Sequence, residues 1–407
     1  MKGNIYFALK GANFNGNKFA EKAFDKGAAY VVLDEHQDAL DGDKRVLYVD
    51  DVQNALRQLA RYHRKRLKAK IIALTGSNGK TTTKELLYNI LKNFYSETYA
   101  TQGNLNNHIG VPLTLLNLPL SAEYAIIEMG SNQAGDIKML CDIVNPNYGL
   151  ITNIGKTHLE NLLSIEGVFE EKSALFKSIN DARGVFFKNE NDPFISRLEP
   201  LKTVTYSVKK TLGYSISKIN NGPCLAIDLK RDNQNIRINT QLFGDYNLEN
   251  ISAAITVAEY FSVPILSIKE AIEDYHPENM RSQVLKTDKN QIIIDAYNSN
   301  PESLDQALKE FVKINARHKF AFIGDMLELG ASSKAEHQNI VEYLSAQPLI
   351  ETIYIGREFQ KVTDYKQLTF RDVDECISSI EKRTFVDSTI LLKGSRALGL
   401  EKLLPFL

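Results

Sequence analysis

A glycine-rich loop is the segment of this sequence whose residue types are best suited to chemistry. Residues 75–82 read TGSNGKTT and lie between an apolar run at residues 71–74 and apolar residues at helical spacing from Leu86 onward. Glycines let backbone N–H groups surround phosphates at a helix N-terminus, a lysine can reach the terminal phosphates, and a threonine hydroxyl can bind Mg²⁺. A plain tight turn is the alternative. Because a strand, this loop and a helix follow one another, the pattern favours a phosphate site made of Gly76, Ser77, Asn78, Gly79, Lys80, Thr81 and Thr82.

The elements around this loop indicate an α/β protein. Apolar runs typical of strands alternate with helical segments along most of the 407 residues, a length that suggests two or three domains. We predict three: a small α/β unit at 1–66, a central unit of the P-loop ATPase type at 67–278, and a Rossmann-like C-terminal unit at 279–407. The last unit contains strand-like runs at residues 292–294, 320–323, 352–355 and 390–392. Ligands bind at the carboxyl ends of such strands, so the residues after each run are candidates for a site.

The composition is that of an ordinary globular protein and excludes several classes. Hydrophobic residues make up 43% and charged residues 24%, and the net charge of −1 gives no electrostatic reason to expect nucleic acid or an anionic membrane as the partner. Cys141, Cys224 and Cys376 lie far apart without a CxxC pair, which argues against a disulfide framework or a zinc site. No leader pattern or membrane-length apolar run occurs, so we expect a cytoplasmic protein without membrane insertion.

Further motifs follow the glycine loop along the chain. The loop has the form GxxGKT[ST], residues 101–112 read TQGNLNNHIGVP, residues 128–130 read EMG, and residues 153–160 read NIGKTHLE. In this order the motifs resemble those of the Mur ligase family and its folylpolyglutamate synthase relatives. The resemblance covers nearly the whole chain. It implies an ATP-dependent ligase in which Lys80 is catalytic and an amide bond forms through an acyl phosphate.

The resemblance also implies Mg²⁺ ligands. It assigns Thr81 and Glu128 to the metal, and the family uses the histidine that matches His158 as a metal ligand. A lone histidine is ordinarily structural, but the position of His158 beyond a strand end and downstream of a phosphate loop favours a ligand. Glu128 and His158 are therefore expected to be catalytic as well as metal-binding.

Lys172 lies on an apolar helix stripe marked by Ile165, Val168 and Phe169. A lysine can extend its amine from such a stripe into solvent, which is the alternative reading. Mur ligases carry a carbamylated lysine fourteen residues beyond the metal-binding histidine, and Lys172 has that spacing from His158. The resemblance thus implies that Lys172 is a carbamylated metal ligand and a catalytic residue.

Two motifs after the central unit's strands resemble nucleotide contacts. Residues 244–250 read GDYNLEN, like the G-x-x-N-x-x-N segment with which the family contacts adenine, and this assigns Asn247 and Asn250 to the nucleotide. Arg281 lies where the family has an arginine that reaches the ATP phosphates from the third domain. It is therefore expected to be catalytic.

A third nucleotide motif follows the run at residues 292–294. Residues 295–301 read DAYNSNP, and the resemblance assigns Asp295 to the ribose and places Asn298 among the nucleotide-binding residues. Asn300 and Pro301 are also predicted to begin a helix, as its cap and its first residue. Capping alone explains these two residues but does not explain Asp295.

The motifs also indicate a branch of the family. The patterns D-x-Y-N-x-N-P and GDM-x-ELG, the latter at residues 324–330, resemble the branch that adds D-alanyl-D-alanine to UDP-N-acetylmuramoyl-tripeptide. The ligases that add the first amino acids tend to carry histidine where Asn298 stands. The implied partners are these two substrates, with ATP and Mg²⁺ as cofactors, and we expect a monomer. Another amide ligase of the family, or a non-catalytic P-loop nucleotide-binding protein, remains the alternative.

The start of the sequence departs from the family pattern. Family members usually carry a helix and strand with an Asp/Thr-Ser/Thr-Arg element that helps to hold uridine, ahead of the segment that matches residues 5–11 here. The sequence as given begins at that segment. We therefore expect the chain as given to bind the uridine nucleotide less tightly than a version that carries the element.

Overall fold

The computed structural model describes residues 2–208, 214–219, 222–231, 234–278, 280–364 and 367–407. Its first unit is a small parallel sheet. Strands β1, β4 and β5 pair in parallel with β4 in the middle, and β2 pairs with β3 as a short antiparallel ribbon. The elements are β1 (Ile5–Phe7), β2 (Lys10–Gly11), β3 (Phe14–Asn15), α1 (Ala20–Asp25), β4 (Tyr30–Leu33), β5 (Val46–Tyr48) and α2 (Val52–Arg66).

The central unit is built on a six-stranded parallel sheet in the order β11-β10-β9-β6-β8-β7. Its middle strands are continuous apolar runs because both of their faces are buried under helices. Its first elements are β6 (Lys70–Thr75), α3 (Lys80–Phe94), β7 (Thr98–Ala100), α4 (Gly110–Leu116), β8 (Tyr124–Glu128), α5 (Asp136–Val144), β9 (Tyr148–Ile151), α6 (Leu159–Leu162), α7 (Ile165–Asp181), β10 (Val185–Asn189) and β11 (Thr203–Tyr206).

An antiparallel sheet of three strands completes the central unit and packs into the same core as α3 and α8. Its strand β14 alternates buried and exposed residues between Ile238 and Leu242, as a strand with one solvated face requires. The remaining elements are β12 (Ser215–Lys218), β13 (Cys224–Arg231), β14 (Gln234–Phe243), α8 (Asn247–Tyr260) and α9 (Ile265–Glu273).

The third unit is a six-stranded sheet in the order β15-β16-β20-β17-β18-β19, parallel except for β15. Helices cover both faces, so two separate apolar cores lie above and below it. The elements are β15 (Gln283–Lys286), β16 (Asn290–Asp295), α10 (Pro301–Lys313), β17 (His318–Gly324), α11 (Ser333–Ser345), β18 (Ile350–Ile355), α12 (Arg357–Gln360), β19 (Leu368–Phe370), α13 (Val373–Ile380) and β20 (Ser388–Lys393).

This arrangement confirms the predicted α/β class with a Rossmann-like third unit. The carboxyl ends of β6, β8, β9 and β16 open toward one cleft between the central and third units. Across the part of the chain that the structure describes, no helix is both long enough and apolar enough to cross a bilayer.

Candidate active site

The glycine loop joins the end of β6 to the start of α3. Gly76 has φ +150° and Gly79 has φ +78°, and Gly79 is the residue directly before the helix. A Cβ on Gly76 would lie 1.8 Å from the Thr152 hydroxyl oxygen, and one on Gly79 would lie 2.2 Å from the side-chain oxygen Oδ1 of Asn250. Only glycine fits at both positions, because the loop backbone lies very close to these two side chains. The backbone N–H groups at the start of α3 can then bind a phosphate.

Neighbouring residues hold the loop in place. Asn153, directly after β9, accepts the Ser77 N–H through its backbone carbonyl at 2.9 Å and the Asn78 N–H through its side-chain oxygen at 2.9 Å. The Ser77 hydroxyl contacts Gly155 and Thr157. The motif at residues 153–160 therefore contributes more than the expected ligand His158, because its first residue, Asn153, holds the glycine loop in place.

Lys80 folds back over the loop. Its amine donates to the carbonyl of Gly76 at 2.6 Å and to that of Ser77 at 3.1 Å. Burial lowers the pKa of this amine, and the nearby Glu128 carboxylate opposes that shift. The lysine is therefore positioned beside the space where a terminal phosphate would lie, and an anion there would compensate for the lost hydration.

Thr81 and Glu128 meet, as the sequence analysis expected of two ligands to one metal. Glu128 ends β8, and its Oε1 accepts the Thr81 hydroxyl at 3.2 Å and the Asn106 amide at 2.8 Å. The other carboxylate oxygen, Oε2, is buried and has no hydrogen-bond partner among the described residues. A buried carboxylate oxygen without a partner is costly, and a hard cation such as Mg²⁺ is the ligand that would satisfy it.

Lys172 is buried in α7, with 1% of its surface exposed. Its amine lies 3.3 Å from the Ser131 hydroxyl. Burial, and secondarily the charge of Lys80, lowers its pKa to about 7. The alternative in which the lysine extends into solvent is therefore wrong. The neighbouring Glu171 side chain points to α5 instead, where its carboxylate accepts the N–H groups of residues 135 and 137 and caps that helix.

His158 lies at the cleft between the two large units. It directly precedes α6 with φ +52°, and its Nδ1 is 2.8 Å from the Oε2 of Glu328, which follows β17. Sequence reasoning did not select Glu328, although it belongs to the GDM-x-ELG motif. Among the described residues no three His, Cys, Asp or Glu side chains cluster as metal ligands, so a cation near His158 would need oxygen from other groups.

The start of α10 reaches across to the glycine loop. Asn300 caps the helix in a capping box with Ser303 and Pro301 is in its first turn, which confirms that part of the sequence analysis. The Asn300 amide donates to the Asn78 side chain at 2.8 Å, and the Asn78 amide donates to Glu302 at 3.2 Å. Burial raises the pKa of Glu302. The third unit is thus in direct contact with the loop that would hold the nucleotide.

Two residues assigned to the nucleotide by resemblance also have protein partners. Asp295 accepts the Ser282 N–H at 3.0 Å and the Lys393 ammonium at 2.7 Å, and Lys393 also donates to the backbone carbonyl of Asn298. Arg281 stacks its guanidinium on Tyr297 at 3.3 Å. The run KGSR at residues 393–396 completes the set of family motifs in the sequence, but Lys393 was not expected to be a site residue.

Asn247 and Asn250 lie at the start of α8, and their side chains form hydrogen bonds with other residues of the protein. The Asn247 amide donates to the Phe243 carbonyl and the Ser282 hydroxyl, while its oxygen accepts the Asn250 amide. Asn250 in turn accepts the Thr83 hydroxyl at 3.1 Å. These bonds tie α8 to the glycine loop's helix, and the adenine contact expected of both residues stays a prediction.

A cleft of about 670 Å³ brings most of the expected residues together. It is lined by every site residue expected from the sequence except Gly76 and Lys172, which lie behind its surface. Carboxylate, ammonium, guanidinium and phosphate-loop groups therefore share one solvent-accessible space. This arrangement suits the transfer of a phosphoryl group between two bound substrates.

Comparisons with known proteins agree with this geometry. Residues 74–258 match the model of the Mur ligase middle domain, and residues 280–396 match that of the Mur ligase glutamate ligase domain. A Bacillus subtilis protein named UDP-N-acetylmuramoyl-tripeptide--D-alanyl-D-alanine ligase is 30% identical over 98% of this chain and 89% of its own length. A Buchnera aphidicola protein of the same name is 33% identical over 97% and 87%.

Solved structures give the same result. MurF from Acinetobacter baumannii superposes with a TM-score of 0.88 at 29% identity, covering 99% of this chain and 90% of its own. MurF ligase from Thermotoga maritima, in complex with ADP, has a TM-score of 0.87 at 25% identity and covers 100% and 94%. With family models over both large units and relatives along almost its whole length, the chain belongs to the Mur ligase family and is a three-domain α/β ligase.

Proposed function

We propose that this protein uses ATP to join D-alanyl-D-alanine to the terminal carboxylate of UDP-N-acetylmuramoyl-tripeptide. The observation that carries the proposal is the single cleft in which the glycine loop, the buried Glu128 oxygen and Arg281 meet. The names of the full-length relatives support the choice of substrates. The ADP complex of the Thermotoga maritima relative supports an adenine nucleotide as a ligand of this protein.

In the proposed first half-reaction, a carboxylate oxygen of the tripeptide attacks the γ-phosphorus of ATP, and the bond to the β-phosphate oxygen breaks. ADP leaves and an acyl phosphate forms. Lys80 and Arg281 offset negative charge on the phosphates, and the loop N–H groups orient them. Thr81 and Glu128 would hold Mg²⁺, which would offset the negative charge of the phosphates.

In the second half-reaction, the amine of D-alanyl-D-alanine attacks the acyl carbon. The tetrahedral intermediate loses a proton from nitrogen and expels inorganic phosphate to leave the amide. We propose that His158 and a carbamylated Lys172 hold a second cation, since the Lys172 amine is buried and close to neutral at pH 7. Asp295 is proposed to bind the ribose, and Asn247, Asn250 and Asn298 are proposed to bind the nucleoside as well.

The test is a reconstituted reaction that contains ATP, Mg²⁺, UDP-N-acetylmuramoyl-tripeptide and D-alanyl-D-alanine. We expect phosphate release only when all are present, with a product whose mass equals the two substrates joined with loss of water. Glutamate and diamino acids serve as competing amines. Product formation with one of these in place of D-alanyl-D-alanine would assign the protein to another branch, and steady GTP hydrolysis without either substrate would refute the ligase proposal.

A further inference from the structure

Two residues from opposite sides of the cleft face each other in an unusual backbone conformation. His158 has φ +52° and Glu328 has φ +65°, a region that side-chain-bearing residues seldom occupy. Their side chains meet at 2.8 Å between Nδ1 and Oε2. Because such conformations persist only where the surroundings impose them, and because they concentrate at functional sites, this contact invites a functional explanation.

The loop that carries Glu328 is fixed by the core of the third unit. The fully buried His337 accepts the Met326 N–H at 3.0 Å through Nε2, and its Nδ1 lies 2.7 Å from the Ser333 carbonyl. The Ser395 hydroxyl accepts the Leu327 N–H at 3.0 Å. Two successive backbone groups before Glu328 are thus anchored, so its carboxylate is presented to the cleft by a rigid support.

The contact has a consequence for the imidazole of His158. A neutral ring that bonds a carboxylate through Nδ1 must carry its proton there, which leaves the lone pair on Nε2. A metal-binding histidine is commonly held in this way by a carboxylate on its second nitrogen, which fixes the tautomer and the ring orientation. Here that carboxylate belongs to a different domain from the histidine.

We propose that Glu328 is a positioning residue that sets His158 as an Nε2 ligand, so that the second cation site is complete only when the third domain has closed over the central one. This inference rests on the proposed role of His158 as a metal ligand. It links domain closure to metal binding through one hydrogen bond, and it explains why a half-exposed glutamate is held in a strained conformation opposite the histidine.

A neighbouring ion pair offers a matched control. Lys156 and Glu336 also join the central and third units, at 3.3 Å, and Lys156 is only two residues from His158. If contacts of this kind merely hold the domains together, removing Glu336 and removing Glu328 should have similar effects. If Glu328 positions the histidine, the two effects should differ.

The experiment measures Mn²⁺ binding by electron paramagnetic resonance with ADP present, in the full chain. In wild type we expect two classes of bound Mn²⁺, one at the nucleotide and one at the second site. Glu328→Ala should weaken the second class about 10- to 100-fold, the range usual for loss of an outer partner of a metal ligand. Glu328→Gln, which keeps a hydrogen-bond acceptor, should retain part of the affinity, and Glu336→Ala should match wild type.

A second measurement follows the ring itself without any metal. The ¹⁵N shifts of His158, identified by their absence from the spectrum of His158→Ala, should report a proton on Nδ1 in wild type and a mixture of tautomers in Glu328→Ala. Equal Mn²⁺ binding in Glu328→Ala and Glu336→Ala would overturn the positioning role. In that case the effect of His158→Ala separates the two hypotheses. If His158→Ala weakens Mn²⁺ binding at the second site, His158 remains a metal ligand and only the role of Glu328 is refuted. If it does not, the metal role of His158 is refuted as well.

Discussion

Lys80 is the residue whose loss should affect the reaction most directly. Its ammonium is held over the loop by the carbonyls of Gly76 and Ser77, next to the space for the terminal phosphates. Lys80→Ala should remove several kcal/mol of transition-state stabilisation, on the order of 10²-fold or more in rate. The rate of phosphate release at saturating substrate concentrations, compared with that of the wild type, measures this loss. Lys92→Ala, on the exposed end of the same helix, is the control, and equal rates for both variants would contradict the phosphate role.

Lys172 leads to a prediction about modification and pH. Its pKa of about 7 means that the neutral amine, the form that adds CO₂, becomes more abundant as the pH rises from about 6 to about 8. Carbamate occupancy, measured by ¹³C NMR with ¹³CO₂, should therefore increase over that interval. A free surface lysine would show the same rise only at much higher pH.

The Lys172→Ala variant separates structure from catalysis. It should lose activity while keeping its circular dichroism spectrum, and short carboxylic acids in the buffer should partly restore turnover by occupying the vacated space. Lys177→Ala, in the same helix but outside the buried set, is the matched control. Wild-type activity in Lys172→Ala would refute the role as a metal ligand.

The residues that sequence reasoning identified and those it missed differ in how they meet their partners. Lys80 could be identified because its partners lie in its own loop, three and four residues away. Glu302 lies 224 residues from its partner Asn78, and Lys393 lies 98 residues from Asp295. Such pairs depend on how sheets and domains assemble, which a local pattern does not encode.

At the scale of elements, the N-terminus of α10 has two roles that one substitution can separate. Asn300 caps its helix and also donates to Asn78 across the cleft. Asn300→Ala should cost about 1 kcal/mol of stability from the cap, and in addition it should raise the KM for ATP. Asp372→Ala removes a comparable cap from α13, far from the loop, and should lower stability alone. Chemical denaturation measures the stability of both variants, and steady-state kinetics measure their KM for ATP. An unchanged KM in Asn300→Ala would show that Asn300 only caps its helix.

The strands of the two large sheets were predictable because they are buried on both faces. The apolar runs at residues 71–74, 292–294 and 320–323 lie inside β6, β16 and β17. The antiparallel sheet of β12, β13 and β14 was not foreseen, because β14 alternates buried and exposed residues and has no long apolar run. Strand order was also beyond the sequence, because the position of β20 between β16 and β17 depends on contacts about 70 to 100 residues apart.

At the scale of the whole molecule, the units have mostly separate cores joined by a few contacts. The sheet of the first unit buries its own small cluster, whereas Ala60 of α2 packs in the core of the central unit and Arg64 of α2 donates to the Val144 carbonyl. The two cores of the third unit consist almost entirely of its own residues, with Phe243 of the central unit as a shared member. The polar contacts of His158, Asn78 and Lys156 with the third unit add specific geometry but little apolar burial. The closed arrangement therefore depends on contacts at the cleft, where substrates would bind.

Separate cores predict that the free protein does not unfold as one cooperative unit, and calorimetry tests both this and the boundaries expected near residues 66 and 278. We expect more than one thermal transition, with a calorimetric enthalpy larger than the van't Hoff enthalpy of the whole trace. Residues of both large units line the cleft. ADP with Mg²⁺ bound there, at about 100 times its Kd, should therefore stabilise the transitions of both units by about 2.7 kcal/mol. The transition of the first unit should not shift with ADP.

Phe243→Ala should lower the transition temperatures of the third and central units together, because the Phe243 ring packs in the core that they share. A single transition with equal calorimetric and van't Hoff enthalpies would show that the three units fold as one.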